Sequence, residues 1–309
     1  MRIVQWMLGW VALGALVACG GGGGGSSGNN QTVVPAGTIS LVASSNDLAN
    51  PKRMTYNPTS GNFYVTAWNP DNTVNDWILE ITPAGAVNRL STIDSPVGIA
   101  LSPSNPNQIY VTAKFPDGSS GVGLYSDNTV EYALNYSGLA FGSNFAIAAD
   151  FDEVQLLTTG TPWGLSKTVS PLVAGGAVAG VAKSSNNWVY YSVPSANAIY
   201  RFDVTDANPV PVALNLGGYA LYQPYSLAVD DSGRLLVINQ TNAAGDGEGA
   251  LIVVADPAGT PSVTELVPAR SGICGATAMT YSAGYAYVVN GTCTNGAHPK
   301  AKSILKIKT

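Results

Sequence analysis

The chain has 309 residues, carries a formal charge of −5, and only 11% of its residues are charged, against roughly 25% in ordinary globular proteins. No basic stripe runs through it, so nucleic acid has no electrostatic footing here. One histidine, His298, excludes chemistry that needs several imidazoles, such as a His-rich zinc site.

In chain order, the first feature is an apolar run from Ile3 behind the positive Arg2, ending in Leu16-Val17-Ala18-Cys19. Small residues before a cysteine resemble a bacterial lipoprotein signal. The resemblance implies a signal peptide over 1–18 and a lipid on the Cys19 sulfur, which becomes the first mature residue. An ordinary secretory signal or a short membrane anchor fits less well. The run holds Gln5 and several Gly and Ala, and it is short for a comfortable span. Residues 19–37 read as a tether, because Gly20 to Gln31, six consecutive glycines followed by Ser, Gly, Asn and Gln, cannot pack. Gly20, where inner-membrane retention signals resemble Asp, points to the outer membrane of a Gram-negative cell. The expected partner at this end is therefore the membrane, through Cys19.

From Thr38 the chain repeats. A strand led in by Pro or Gly is followed by a polar turn and a second strand rich in Tyr and Val. The second strands are read at Phe63 to Thr66, Ile109 to Thr112, Gln155 to Thr158, Val189 to Ser192, Leu235 to Ile238 and Ala286 to Val289. Their second positions are spaced by 46, 46, 34, 46 and 51 residues. Third strands follow at Ile78, Gly123, Gly164, Ile199, Leu251 and Ile304, and outer strands at Val87, Val130, Val212 and Val263. Six four-stranded units predict an all-β, six-bladed β-propeller over 38–309. The last unit lacks a fourth strand, and the spare strand Thr38 to Ala43 is predicted to supply it and close the ring. The copies resemble NHL-repeat and gluconolactonase (strictosidine-synthase-like, SMP-30) propellers.

That resemblance implies a divalent metal at the channel mouth, held by Glu, Asn and Asp of the inner strands. This chain has Arg53, Gly98, Ala146, Gly180, Ser226 and Thr277 at those places, so no metal or other cofactor is expected. There is no Gly-x-Ser-x-Gly, and His298 alone stands for a base. The expected role is a binding or scaffolding module for a protein, peptide or glycan, using the loop face. The alternative is a metal-dependent hydrolase or lactonase. The loop-face candidates are Trp68, Phe115, Trp163, Tyr225, Asn239 and Asn290, since flat rings beside amides suit such ligands. Asp71, Asp76, Asp246 and Glu248 lie in two acidic loops as weak calcium candidates without EF-hand spacing. Cys274 and Cys293 flank the last inner hairpin symmetrically. In an oxidising compartment they are expected to pair.

Overall fold

The computed structural model describes residues 34–69, 76–115, 118–126, 129–133, 138–142, 145–149, 153–159, 163–169, 176–293 and 298–309. Cys19 with its signal, the tether up to residue 33, and Asp71 lie outside the described residues.

β1 (Ile39–Ser44) comes first and pairs with the last strand of the chain. The first blade is β2 (Pro51–Tyr56), β3 (Phe63–Ala67), β4 (Asp76–Ile81) and β5 (Val87–Ile93); the second is β6 (Ile99–Leu101), β7 (Ile109–Lys114), β8 (Ser120–Leu124) and β9 (Thr129–Ala133). The third is β10 (Leu139–Phe141), β11 (Phe145–Ala149), β12 (Val154–Thr158) and β13 (Gly164–Val169); the fourth is β14 (Val181–Lys183), β15 (Trp188–Val193), β16 (Ala198–Asp203) and β17 (Val212–Ala213). The fifth is β18 (Pro224–Val229), β19 (Leu235–Asn239), β20 (Glu248–Ala255) and β21 (Ser262–Val267), with the short β22 (Ile273–Cys274) paired to the start of β20. The sixth is β23 (Ala276–Ser282), β24 (Tyr285–Asn290), β25 (Ser303–Lys308) and, from the other end of the chain, β1. Ile39 sits opposite Ile307 and Ser44 opposite Ser303, so the ring closes as the sequence predicts. Each inner strand contacts the inner strands on both sides, and the six enclose a central channel.

The blades are buried on both faces, which is why their middle strands read as nearly unbroken apolar runs. On β3, Phe63, Val65 and Ala67 pack toward the sixth blade, while Tyr64 packs toward the second. On β24, Ala286 and Val288 face the fifth blade, and Val289 faces the first. Six apolar clusters result, each between neighbouring blades. Hydroxyls stitch the inner ring. Thr66 Oγ1 accepts from Arg53 N and donates to Val97 O of the next blade, at 3.1 and 2.8 Å. Ser192 Oγ repeats this with Gly180 N and Tyr225 O, at 2.8 and 3.1 Å.

The third blade corrects the strand assignment. Val154–Thr158 is its third strand, not its second, and the inner strand is β10. Ala146 therefore lies on the second strand, and Gly138 heads the inner strand beside the channel. Taking Ile147 in place of Leu156 changes the spacings around this blade to 37 and 43 residues, so the short interval of 34 disappears. Phe145-Ala146-Ile147-Ala148-Ala149 has no Tyr-Val signature, and this hid it. Ala146, Ile147, Ala148 and Ala149 are nonetheless all buried, as a middle strand requires.

Candidate functional site

Three inner strands carry a β-bulge at the same end of the channel. The pairing of β2 with β3 skips Lys52, that of β18 with β19 skips Tyr225, and that of β23 with β24 skips Thr277. A bulge leaves one residue out of the ladder and re-aims side chains, a device common beside active sites. Here it turns three blades' side chains toward one mouth.

Arg53 occupies the centre. Its Nη1 donates to Lys52 O at 2.6 Å and to Thr277 O at 3.2 Å, and its Nη2 donates to Ala179 O across the channel. The Tyr225 ring lies 5.1 Å from the guanidinium carbon. A methyl group built on Gly138 would sit 3.8 Å from Arg53 Nε. One side chain from the first blade thus meets the third, fourth, fifth and sixth. Nε is buried with no partner among the described residues. Burial lowers the guanidinium's pKa, with Tyr225 opposing the shift, yet it stays charged because arginine starts so high.

Lys52 stands beside it at the mouth. Its ammonium lies 3.6 Å over the Trp68 ring, and Trp68 Nε1 donates to Pro96 O at 3.1 Å. Burial, then the neighbouring Arg53 charge, lowers the Lys52 pKa, while Asp76 opposes them. The mouth therefore offers a fixed cation with one unpartnered donor, an amine whose proton is loosened, and two aromatic walls.

The other sequence candidates fall elsewhere. Phe115 is 2% exposed and packs between the first and second blades. Trp163 leads from the third to the fourth strand of its blade and packs on Tyr110 and Phe141 at the opposite end of the propeller from Trp68. Trp163 therefore does not share the face of Trp68, because the third blade begins one strand earlier than expected. Asn239 and Asn290 are buried and clamp backbone groups. Asn239 Oδ1 accepts from Tyr222 N, and Asn290 holds Cys274 N, Gly272 O and Lys300 O. Asp76 braces the backbone of Asn69 and Ser95 at 2.8 and 3.0 Å, one through each carboxylate oxygen. Asp246 pairs with Arg270 at 2.6 Å, and this partner, above all, lowers its pKa. Glu248 is buried. Cys274 and Cys293 face one another with Cα atoms 5.3 Å apart, within disulfide reach. Arg53 and Lys52 were missed as site residues. Their signal was a pair of adjacent cations at the head of an inner strand in a chain this poor in charge.

No family model matches the chain, and no curated protein is significantly similar to it. Solved structures share the fold at low identity. A gluconolactonase from Xanthomonas campestris aligns with TM-score 0.61 and 10% identity, over 87% of this chain and 89% of that one. Regucalcin, a calcium-binding protein from Agrobacterium tumefaciens, aligns with TM-score 0.58 and 12% identity, over 86% and 93%. Virginiamycin B lyase from Staphylococcus aureus aligns with TM-score 0.56 and 12% identity, over 88% and 99%. The expectation of a binding or scaffolding module is overturned. The neighbours include a lactonase, a lyase and a luciferin-regenerating enzyme, and two of the four candidate rings, Phe115 and Trp163, are packed between blades. The metal implied by the gluconolactonase-like fold does not fit this channel. The described inner strands hold no carboxylate, and the Arg53 guanidinium already lies against the carbonyls of Ala179 and Thr277.

Proposed function

We propose that the chain is a hydrolase of lactones or other esters, working at the channel mouth with Arg53 as its electrophilic group. The observation that carries this reading is a guanidinium fixed in the channel with Nε–H unpartnered. Ester hydrolysis passes through a tetrahedral oxyanion, and donors held in place before reaction stabilise it without reorganising. Nε–H would receive the substrate carbonyl oxygen. Lys52, with its proton loosened by burial and by Arg53, is the general base that takes a proton from the attacking water; when the tetrahedral intermediate collapses and its C–O bond breaks, the ammonium returns that proton to the leaving alkoxide oxygen. Trp68 and Tyr225 flank the substrate. The neighbours' activities support the reaction class, and the chemistry of the donor set supports a route carried by the chain's own residues. We further propose that Cys19 is lipidated and tethers the propeller to the outer membrane, and that Cys274 and Cys293 form a disulfide.

The test is turnover of a panel of γ- and δ-lactones and aryl esters by the purified chain, with and without a chelator. We expect turnover that survives chelation and falls about 10²–10³-fold in Arg53→Met, with a normal circular dichroism spectrum. Arg53→Lys keeps the charge and serves if Arg53→Met fails to fold; it too should lose most activity, because it lacks the planar fork. Turnover that is abolished by chelation and restored by calcium would overturn the reading. So would equal turnover by the folded Arg53 variants, or no turnover of any member of the panel.

A further inference from the structure

We infer that a second cavity on the mouth face, between the fifth and sixth blades, binds a small organic ammonium compound through Glu248. The cavity measures about 310 Å³ and is lined by Asp246, Glu248, Arg270 and His298. Glu248 begins β20, opposite Cys274 of β22, and is only 6% exposed. Its Oε2 is buried and has no partner among the described residues. A buried carboxylate without a donor is costly, so structures normally pair it.

The other charges in the cavity cancel. Asp246 Oδ2 accepts from Arg270 Nε and Nη2 at 3.1 and 2.6 Å. Asp246 Oδ1 accepts from Asn242 Nδ2 and Glu248 N at 2.7 and 3.0 Å. Arg270 also feels the Glu248 charge, but two lining carboxylates stand against one guanidinium, a formal charge of about −1, and no described residue donates to Glu248 Oε2. His298 Nδ1 accepts from Lys300 N at 3.2 Å, so the neutral ring carries its proton on Nε2 and presents a donor. The matching ligand has a cationic head for Glu248 and an oxygen acceptor for His298, as an amino alcohol does.

A bare metal ion fits less well. Among the described residues, the only trio of ligand atoms that converges within 4.8 Å is Cys274, Cys293 and His298, and its sulfurs are turned to one another. Asp246, Glu248 and His298 do not converge to that spacing, whereas metal–ligand bonds run about 2.0–2.6 Å. The site is separate from the Arg53 centre, so the two readings stand or fall independently.

The test is calorimetric titration of the full chain with ethanolamine, and in parallel with calcium chloride, zinc chloride and glucose. We expect saturable ethanolamine binding that weakens at least tenfold in Glu248→Gln and is unchanged in Arg53→Met. No saturable binding, equal binding by Glu248→Gln, or binding of only the metals or glucose would overturn the inference. His298 is the chain's single histidine, so its imidazole proton resonances report the cavity without assignment. Ethanolamine should move them in the unmodified protein, which keeps the test decisive if Glu248→Gln does not fold. Unmoved resonances at saturating ethanolamine would overturn it as well.

Discussion

Tyr191 shows how one atom can work against its own fold. It is fully buried in the cluster between the third and fourth blades and stacks on Tyr200 at a centroid distance of 5.3 Å. Its hydroxyl has no partner among the described residues, and burial pushes its pKa up. A buried hydroxyl without a partner forfeits its hydrogen bonds to water. Tyr191→Phe should leave stability unchanged or raise it by up to about 1 kcal/mol; a fall of that size in urea denaturation would reveal a partner for the hydroxyl. Lys52 makes the pH prediction. Its pKa is lowered in the folded state, so in the window between that value and the ordinary lysine value the unfolded chain binds more protons. Its contribution to stability therefore rises with pH across that window. If its amine is the base, kcat/KM should rise with a midpoint below the ordinary lysine value of about 10.4. In Lys52→Met that limb should be lost, and a profile identical to the unmodified protein's would remove Lys52 from the reaction.

At the scale of elements, ring closure depends on β1. It covers the outer edge of β25, from Ile39 opposite Ile307 to Ser44 opposite Ser303. Deleting residues 34–44 leaves that edge unpaired, a template for aggregation. We expect loss of cooperative thermal unfolding, and a truncated chain with an unchanged Tm would show that the sixth blade stands without its borrowed strand. The inner ring is equally tight where blades meet. A Cβ on Gly180 would lie 2.5 Å from Tyr225 O and 3.0 Å from Leu227 N, both backbone atoms that cannot step aside alone. Gly180→Ala should cost about 1–3 kcal/mol by overpacking. Its denaturation midpoint is the measurement, and an unchanged midpoint would show that the strands can part there.

For the whole molecule, two covalent proposals bear on stability and place. A bond between Cys274 and Cys293 would close a loop with a sequence separation of 19, which the chain-entropy treatment values at about 3 kcal/mol. Peptide mapping of the unreduced protein should link the two cysteines, and reduction should lower Tm; two free thiols in periplasmic material would remove the bond. Cys19→Ser should abolish partitioning into detergent. Normal processing and membrane association of that variant would remove the lipid anchor.

The repeat was legible in the sequence because a propeller strand is buried on both faces. Phe63-Tyr64-Val65-Thr66 and Val189-Tyr190-Tyr191-Ser192 must be apolar nearly throughout, and the same environment recurs blade after blade. Closure was legible too, since a missing outer strand at one end and a spare strand at the other leave one pairing. The third blade was not, because Phe145–Ala149 meets that double burial with alanines, which carry no strand signature. The site escaped for a different reason. Nothing local to Lys52-Arg53 says that bulges at three strand ends converge, or that the guanidinium reaches carbonyls of Ala179 and Thr277 far along the chain. Periodic burial is a property of each strand and is written into it. The meeting of Arg53, Tyr225 and Thr277 exists only once six blades close around one axis, and that was decided by the tertiary structure.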